Sequence, residues 1–228
     1  PTDKDLGEQI GLLEPKLDSG FGPYGYGCYA RATDKALLED GQDGGVCSAL
    51  LIHGLKNETL KGVVAGEEHA DNPQMGSSML QTNPEEIKRG ARSRYTYQPN
   101  TVALVEAMEK DISPIAVVGV PCQVDGVRQQ QHSSIRLDVA EWYRTNVSLV
   151  IGLFCSEAFT EEGVDWLAKE MEVPKKDIMN INIKGRIEIK LRDGREDVRS
   201  LKAFGKYARP ACLYCMDYSA DNADIGFG

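Results

Sequence analysis

What this chain of 228 residues lacks narrows its role before anything present is considered. No apolar run reaches membrane-spanning length, the longest being Val147 to Cys155, and nothing resembles a secretory signal. A cytoplasmic, soluble protein without direct membrane insertion is therefore expected. Low-complexity stretches, internal repeats and Gly-, Pro- or Ser-rich linkers are also missing, so one main domain is expected. Residues 1–25 read as an N-terminal extension or linker, and residues 26–228 as the working domain. Neither Gly-x-Gly-x-x-Gly nor a phosphate-loop Gly-Lys-Ser/Thr occurs, so classical NAD or ATP binding is not indicated. The three histidines, His53, His69 and His132, fall at no catalytic or metal-ligand spacing, and Asp43 has no evident partner for acid–base work.

Positive charge is scarce as well. The 26 Lys and Arg against 35 Asp and Glu leave a formal net charge of -9. That balance disfavours nucleic acid and membrane surfaces, both of them polyanions, and an anionic ligand would need a local basic pocket. With 41% hydrophobic residues the chain can still bury a substantial core. It starts at Pro1 and stops at Gly228 inside the strand-like Asp224 to Gly228, as a piece of a longer chain would.

The patterning is α/β: a mixed, mainly parallel sheet core with helices and an added antiparallel hairpin region. Tyr26 to Ala32 alternates like a strand, Thr33 or Asp34 can cap a short helix, and Gly41 to Gly45 opens the apolar helix Val46 to Leu55. Leu60 to Gly66 reads as a strand that leads into a polar loop. Asn83 and Pro84 start a helix running to Gly90, and another spans Thr101 to Lys110. Ile115 to Val120 and Val147 to Phe154 are continuous apolar runs of the kind buried on both faces of a parallel sheet. Helix Val124 to Gln131 follows the first, and helix Glu161 to Met171, capped by Thr160, follows the second. Segments Ile178 to Lys184 and Arg186 to Arg192, then an Asp193-Gly194 turn into Val198 to Leu201, supply the antiparallel part.

Six cysteines in a cytosolic chain point to metal or redox chemistry rather than disulfides. Cys212 and Cys215 form a Cys-x-x-Cys pair, whose turn points both sulfurs at one metal or cluster. Cys122 and Cys155 each follow an apolar strand directly. Carboxyl ends of parallel strands share one edge, so these two can converge with the pair into a four-thiolate site. Structural zinc and iron–sulfur both fit that set. Cys28 and Cys47 read as core residues, on a strand and on a helix face. Gly41-Gln-Asp-Gly-Gly45 offers backbone N–H groups at a helix start. Two basic clusters, Arg89, Arg92 and Arg94 before Tyr95, and Lys202, Lys206 and Arg209 before the Cys-x-x-Cys, suit phosphate or carboxylate groups.

Six segments in order, Ala30-Arg-Ala-Thr-Asp34, Gly41-Gln-Asp-Gly-Gly45, Ser93-Arg-Tyr-Thr96, Val120-Pro-Cys-Gln123, Gly152-Leu-Phe-Cys155 and Cys212-x-x-Cys215-Met-Asp-Tyr218, carry a resemblance from about Tyr26 to the end. Together they resemble the family of beta subunits of coenzyme F420-reducing hydrogenases and dehydrogenases, which includes F420-linked formate dehydrogenase and relatives of hydroxymethyl-chlorophyll reductase. The resemblance implies FAD and a [4Fe-4S] cluster, with Cys122, Cys155, Cys212 and Cys215 as cluster ligands. It implies FAD against Gln42, Asp43, Gly44, Gly45, Ser93, Arg94, Tyr95, Thr96 and Gln123, with Lys202 or Lys206 near its phosphates or the anionic substrate. The implied reaction is hydride exchange between coenzyme F420, the substrate, and FAD. Single electrons then pass through the cluster to a partner redox subunit of hydrogenase, formate dehydrogenase or heterodisulfide-reductase type with further iron–sulfur clusters. Two other readings stand beside it: a reductase that uses ferredoxin in place of F420, and a non-catalytic, zinc-stabilised interaction module.

Overall fold

The computed structural model describes residues 16–18 and 21–228. Most of the expected N-terminal extension, residues 1–25, lies outside the described residues. Within it β1 (Lys16–Asp18) and β2 (Gly22–Tyr24) pair antiparallel. The central sheet contains β3 (Gly62–His69), β4 (Asn72–Gln81), β5 (Ile115–Gly119), β6 (Val147–Leu153) and β10 (Ile225–Phe227), ordered β10-β6-β5-β3-β4. Neighbours are parallel except β3 and β4, so the sheet is mixed and mainly parallel as expected.

Strand β5 shows why an uninterrupted apolar run belongs at the centre. Ile115 and Val117 pack with Leu104 and Ala107 of α4 (Ala103–Glu109) and with Val124 and Val127 of α5 (Pro121–Gln131). The alternate residues Ala116 and Val118 pack on the other face, with Leu37 of α1 (Lys35–Asp40), Leu51 and Ile52 of α2 (Val46–Lys56) and Ile87 of α3 (Pro84–Gly90). Period-two alternation thus feeds both layers, and each buried aliphatic side chain contributes about 1.5–3 kcal/mol. Asp34 caps α1 by accepting from the Ala36 amide at 2.9 Å. Asn83 and Glu86 close a reciprocal capping box on α3, with Asn83 Oδ1 accepting from the Glu86 amide at 3.1 Å.

The last strand is fastened by charge. The Asp224 carboxylate accepts from the Val150 amide at 2.7 Å and from Arg128 at 2.6 Å, while Arg128 Nε donates to the Asn222 carbonyl at 2.8 Å. A second, antiparallel sheet, β7 (Ile178–Ile183), β8 (Ile187–Leu191) and β9 (Glu196–Arg199), packs with α7 (Glu161–Glu170) and α8 (Leu201–Phe204). Its own core holds Phe159, Leu167, Ile181, Ile189 and Phe204.

Several expectations need correction. Tyr26 to Ala32 forms no strand; the Ala32 amide donates to the Gly44 carbonyl at 2.7 Å instead. Cys28 is therefore exposed rather than a core residue. The polar loop expected after Gly66 is absent, because β3 continues to His69 and β4 follows. Strand β4 looks polar because its buried side chains are hydrogen-bonded rather than apolar: Gln74 Nε2 donates to the Ile178 carbonyl at 3.2 Å, and Gln81 Nε2 to the Glu86 carbonyl at 3.2 Å. Helix α6 (Leu137–Asn146) was not expected; of its side chains only Ala140 is fully buried. Thr160 stands at the start of α7 without a side-chain capping bond.

Candidate functional site

The carboxyl ends of the parallel strands all open on one cavity of about 1180 Å³. Gly66, Gly119, Leu153 and Phe227 bring β3, β5, β6 and β10 to its wall, as expected for a ligand crevice in an open parallel sheet. The volume exceeds the roughly 300–1,000 Å³ of ordinary small-molecule pockets, so it admits a dinucleotide-sized ligand.

All four candidate ligand cysteines line this cavity. Cys122 is the second residue of α5, immediately past β5, and Cys155 is two residues past β6. Cys212 sits in the turn of helix formed by Pro210–Tyr214, and Cys215 follows it. The returning chain is pinned beside β6, since the Cys155 amide donates to the Tyr218 carbonyl at 2.9 Å. The Ala158 amide lies 3.5 Å from Cys212 Sγ, in hydrogen-bonding position. Burial pushes the Cys155 thiol up to about 12, and Cys212, Cys122 and Cys215 add to that shift. Cys122 is raised chiefly by burial, then by Cys215 and Cys212, while Arg209 pulls it down. The four thiols are thus within electrostatic reach of one another. Among the described residues, however, no three His, Cys, Asp or Glu side chains stand close enough to hold a single metal ion.

The glycine turn forms another wall. Gly45 is the N-cap of α2 with φ of +64°, and a Cβ there would stand 2.6 Å from the Leu37 carbonyl oxygen. Only glycine takes this conformation without strain, and it aims the first turn of α2, Val46 to Ser48, at the cavity. Gln42 links three segments: its Nε2 donates to Asn182 Oδ1 at 2.9 Å, and its Oε1 accepts from the Ser93 amide at 3.5 Å. Asp43 pairs with Lys184 at 2.8 Å. The Tyr95 hydroxyl accepts from the Ile183 amide at 3.4 Å, and burial raises its pKa.

Gln42, Asp43, Gly44, Gly45, Ser93, Arg94, Tyr95, Thr96 and Gln123 all line the same cavity as the cysteines. Besides Gln42, Asp43 and Tyr95, two more of these are engaged by the protein. Gln123 donates to the Gln98 carbonyl and accepts from the Val120 amide, and the Thr96 hydroxyl donates to the Gln74 carbonyl. Lys202 and Lys206 lie outside the lining; Lys206 Nζ is instead held over the rings of Tyr207 and Trp166, 4.9 and 5.4 Å from their centroids.

The cavity is locally basic on an acidic chain. Arg92, Arg94, Lys184 and Arg209 line it against the acidic Asp43 and Glu157. Lys184 and Arg92 have carboxylate partners, in Asp43 and Asp40. Among the described residues Arg94 and Arg209 have none within salt-bridge distance. The Arg94 guanidinium donates to the carbonyls of Gly90 at 3.0 Å and Arg92 at 3.4 Å, while its buried Nε has no partner. Burial works against its charge and lowers its pKa. Asn182 and Lys184 were not among the expected site residues. The basic run before the Cys-x-x-Cys signalled Arg209, whereas nothing local marked the end of β7 as a cavity wall.

These features place the chain among α/β proteins that gather binding loops at the carboxyl edge of a parallel sheet. Within that class its family is specific. Residues 28–105 match the N-terminal part of the coenzyme F420 hydrogenase/dehydrogenase beta subunit, and residues 112–228 match its C-terminal part; the chain belongs to this family of electron-transfer subunits. It is 34% identical over 213 residues to the coenzyme F420 hydrogenase beta subunit of Methanococcus voltae, covering 91% of this chain and 73% of that one. It is 36% identical over 192 residues to the F subunit of F(420)H(2) dehydrogenase from Methanosarcina mazei, covering 82% of this chain and 51% of that one. Among solved structures, a chain of the F420-reducing [NiFe] hydrogenase complex from Methanosarcina barkeri superposes with a TM-score of 0.77 at 29% identity, over 85% of this chain and 66% of that one. No helix among the described residues is long and apolar enough to cross a membrane.

Proposed function

We propose that this chain binds FAD in the cavity, holds a [4Fe-4S] cluster on Cys122, Cys155, Cys212 and Cys215, and passes electrons between coenzyme F420 and a partner redox subunit. The observation that carries this reading is convergence: four cysteines from three separate segments, the glycine turn and the Ser93–Thr96 segment share one cavity. When bound, FAD would exchange hydride with F420 and the cluster would carry single electrons onward, chemistry that belongs to the cofactors.

The residues fit both groups. A zinc ion with Zn–S near 2.3 Å brings its thiolates to about 3.8 Å of one another. A four-iron cube holds them farther apart, and membership of the F420 hydrogenase/dehydrogenase beta subunit family favours the cluster over zinc. Iron bound to the thiolates would also offset the burial that keeps Cys155 protonated. The first turn of α2 turns free N–H groups and the positive end of its dipole toward the cavity, which suits a pyrophosphate. Arg94 adds a charge that no protein carboxylate neutralises among the described residues. Tyr95 and Tyr97 offer aromatic faces on the same wall. No side chain is required as nucleophile or general base.

Metal and flavin analysis of protein purified without oxygen tests the reading. About four irons, four sulfides and one FAD per chain are expected, with loss of iron in Cys155→Ser. Stoichiometric zinc without flavin would overturn it. Mixing with reduced F420 should bleach the flavin band; bleaching by reduced ferredoxin alone would reassign the electron donor.

A further inference from the structure

We propose that Arg209 is a positioning residue for electron transfer: its fixed guanidinium charge raises the reduction potential of the group held by the four cysteines. The proposal rests on the cluster assignment above. Arg209 stands three residues before Cys212, and its backbone is locked there. Its amide donates to the Ala158 carbonyl at 2.9 Å, and its carbonyl accepts from the Cys212 amide at 2.9 Å. Ala158 in turn directs its own N–H at Cys212 Sγ, so one pair of peptide units joins Arg209 to a ligand sulfur.

The side chain is equally constrained. Its guanidinium carbon lies 4.3 Å from the centroid of the Tyr97 ring, a stacking contact that holds the charge in place. Arg209 lines the cavity with the cysteines and, among the described residues, meets no carboxylate within salt-bridge distance. Asp43 and Glu157 also line the cavity; Asp43 is paired with Lys184, and Glu157 acts on Cys155.

The role follows from elementary electrostatics. Adding one electron to a thiolate-ligated cluster makes an already negative group more negative, and a nearby cation stabilises that product more than the reactant. Lys202 and Lys206 do not share the task, because neither reaches the cavity and Lys206 is held over Tyr207 and Trp166.

The test is a redox titration of the cluster, followed by its electron paramagnetic resonance signal, in the wild type, Arg209→Gln and Arg209→Lys. Arg209→Met keeps the aliphatic stem and replaces the glutamine variant if that one fails to accumulate. With iron content unchanged, loss of the charge should shift the one-electron equilibrium toward the oxidised form by on the order of tenfold, about 59 mV. Arg209→Lys should stay near the wild type. An unchanged potential in the neutral variant overturns the proposal, and so does an equal shift in the lysine variant, since charge would then not be the cause. A wild type without iron would instead overturn the cluster assignment itself.

Discussion

Replacing Gly45 with alanine tests whether the glycine turn shapes the cavity. The residue has φ of +64°, and left-handed backbone costs a non-glycine residue about 1–2 kcal/mol. The new Cβ would also stand 2.6 Å from the Leu37 carbonyl oxygen and 3.1 Å from its carbon, both backbone atoms that cannot rotate away. If the turn stays in place, that strain lowers stability, and at about 2–4 °C per kcal/mol for a chain of this size the melting temperature falls by roughly 2–8 °C. If the turn moves, Gln42 moves with it and loses its alignment with Asn182 and Ser93. The same 1–2 kcal/mol then appears as weaker flavin binding, about five- to thirtyfold in Kd. Thermal unfolding of the apoprotein and flavin titration by fluorescence quenching divide the two outcomes. Gly45→Asn should be milder, since asparagine tolerates the left-handed region while keeping the steric contact. A variant with unchanged melting temperature and unchanged flavin affinity would refute the reasoning.

Three further outcomes are expected. Asp224→Ala, which strips the Val150 amide and Arg128 of their acceptor, should cost about 2 kcal/mol; it should lower the urea midpoint with little change in slope, whereas a shifted slope would point to altered compactness. Glu86 is held below its ordinary value of 4.5 chiefly by the Thr82 amide, and then by Asn83. Its folded value being the lower one, its stabilisation is present above the unfolded glutamate range and disappears as pH falls through the folded value. The stability gap between wild type and Glu86→Gln should therefore close on acidification, and a gap that widens instead contradicts the capping geometry. Burial pushes the Cys47 thiol up to about 12, leaving a thiolate fraction of roughly 10⁻⁴ at pH 8. Iodoacetamide followed by peptide mass mapping should label exposed Cys28 long before Cys47, and equal rates would show that Cys47 is not shielded.

The sequence made some elements plain and hid others for physical reasons. Ile115–Gly119 and Val147–Leu153 were readable because a strand covered on both faces must be apolar throughout. Strand Asn72–Gln81 was not, because its buried Gln74 and Gln81 are polar, their side-chain N–H groups donating to the carbonyls of Ile178 and Glu86. Tyr26 to Ala32 erred in the opposite direction. Its alternation is real, but a strand requires a neighbour, and the backbone there is held by a glycine turn. Helix Leu137–Asn146 escaped notice because it presents only Ala140 fully to the core, too narrow a stripe to register as amphipathic.

The site was legible to the same extent as its supports. Cys122 and Cys155 could be brought together on paper because strand ends share an edge, and the glycine turn because helix starts do. The end of β7 could not, since its position depends on how the antiparallel sheet meets the parallel one. That sheet is part of the site: Asn182, Ile183 and Lys184 reach across to Gln42, Tyr95 and Asp43. These ties are individually weak. The Asp43–Lys184 side chains are 54% and 58% exposed, and a surface pair of this kind contributes about 0–1 kcal/mol. The wall they form can part more readily than the parallel-sheet edge, which is fixed by main-chain hydrogen bonds and a two-faced core. Cys122 and Cys155 follow directly from that edge, whereas Cys212 and Cys215 lie on the returning chain, which the bond from the Cys155 amide to the Tyr218 carbonyl pins beside β6.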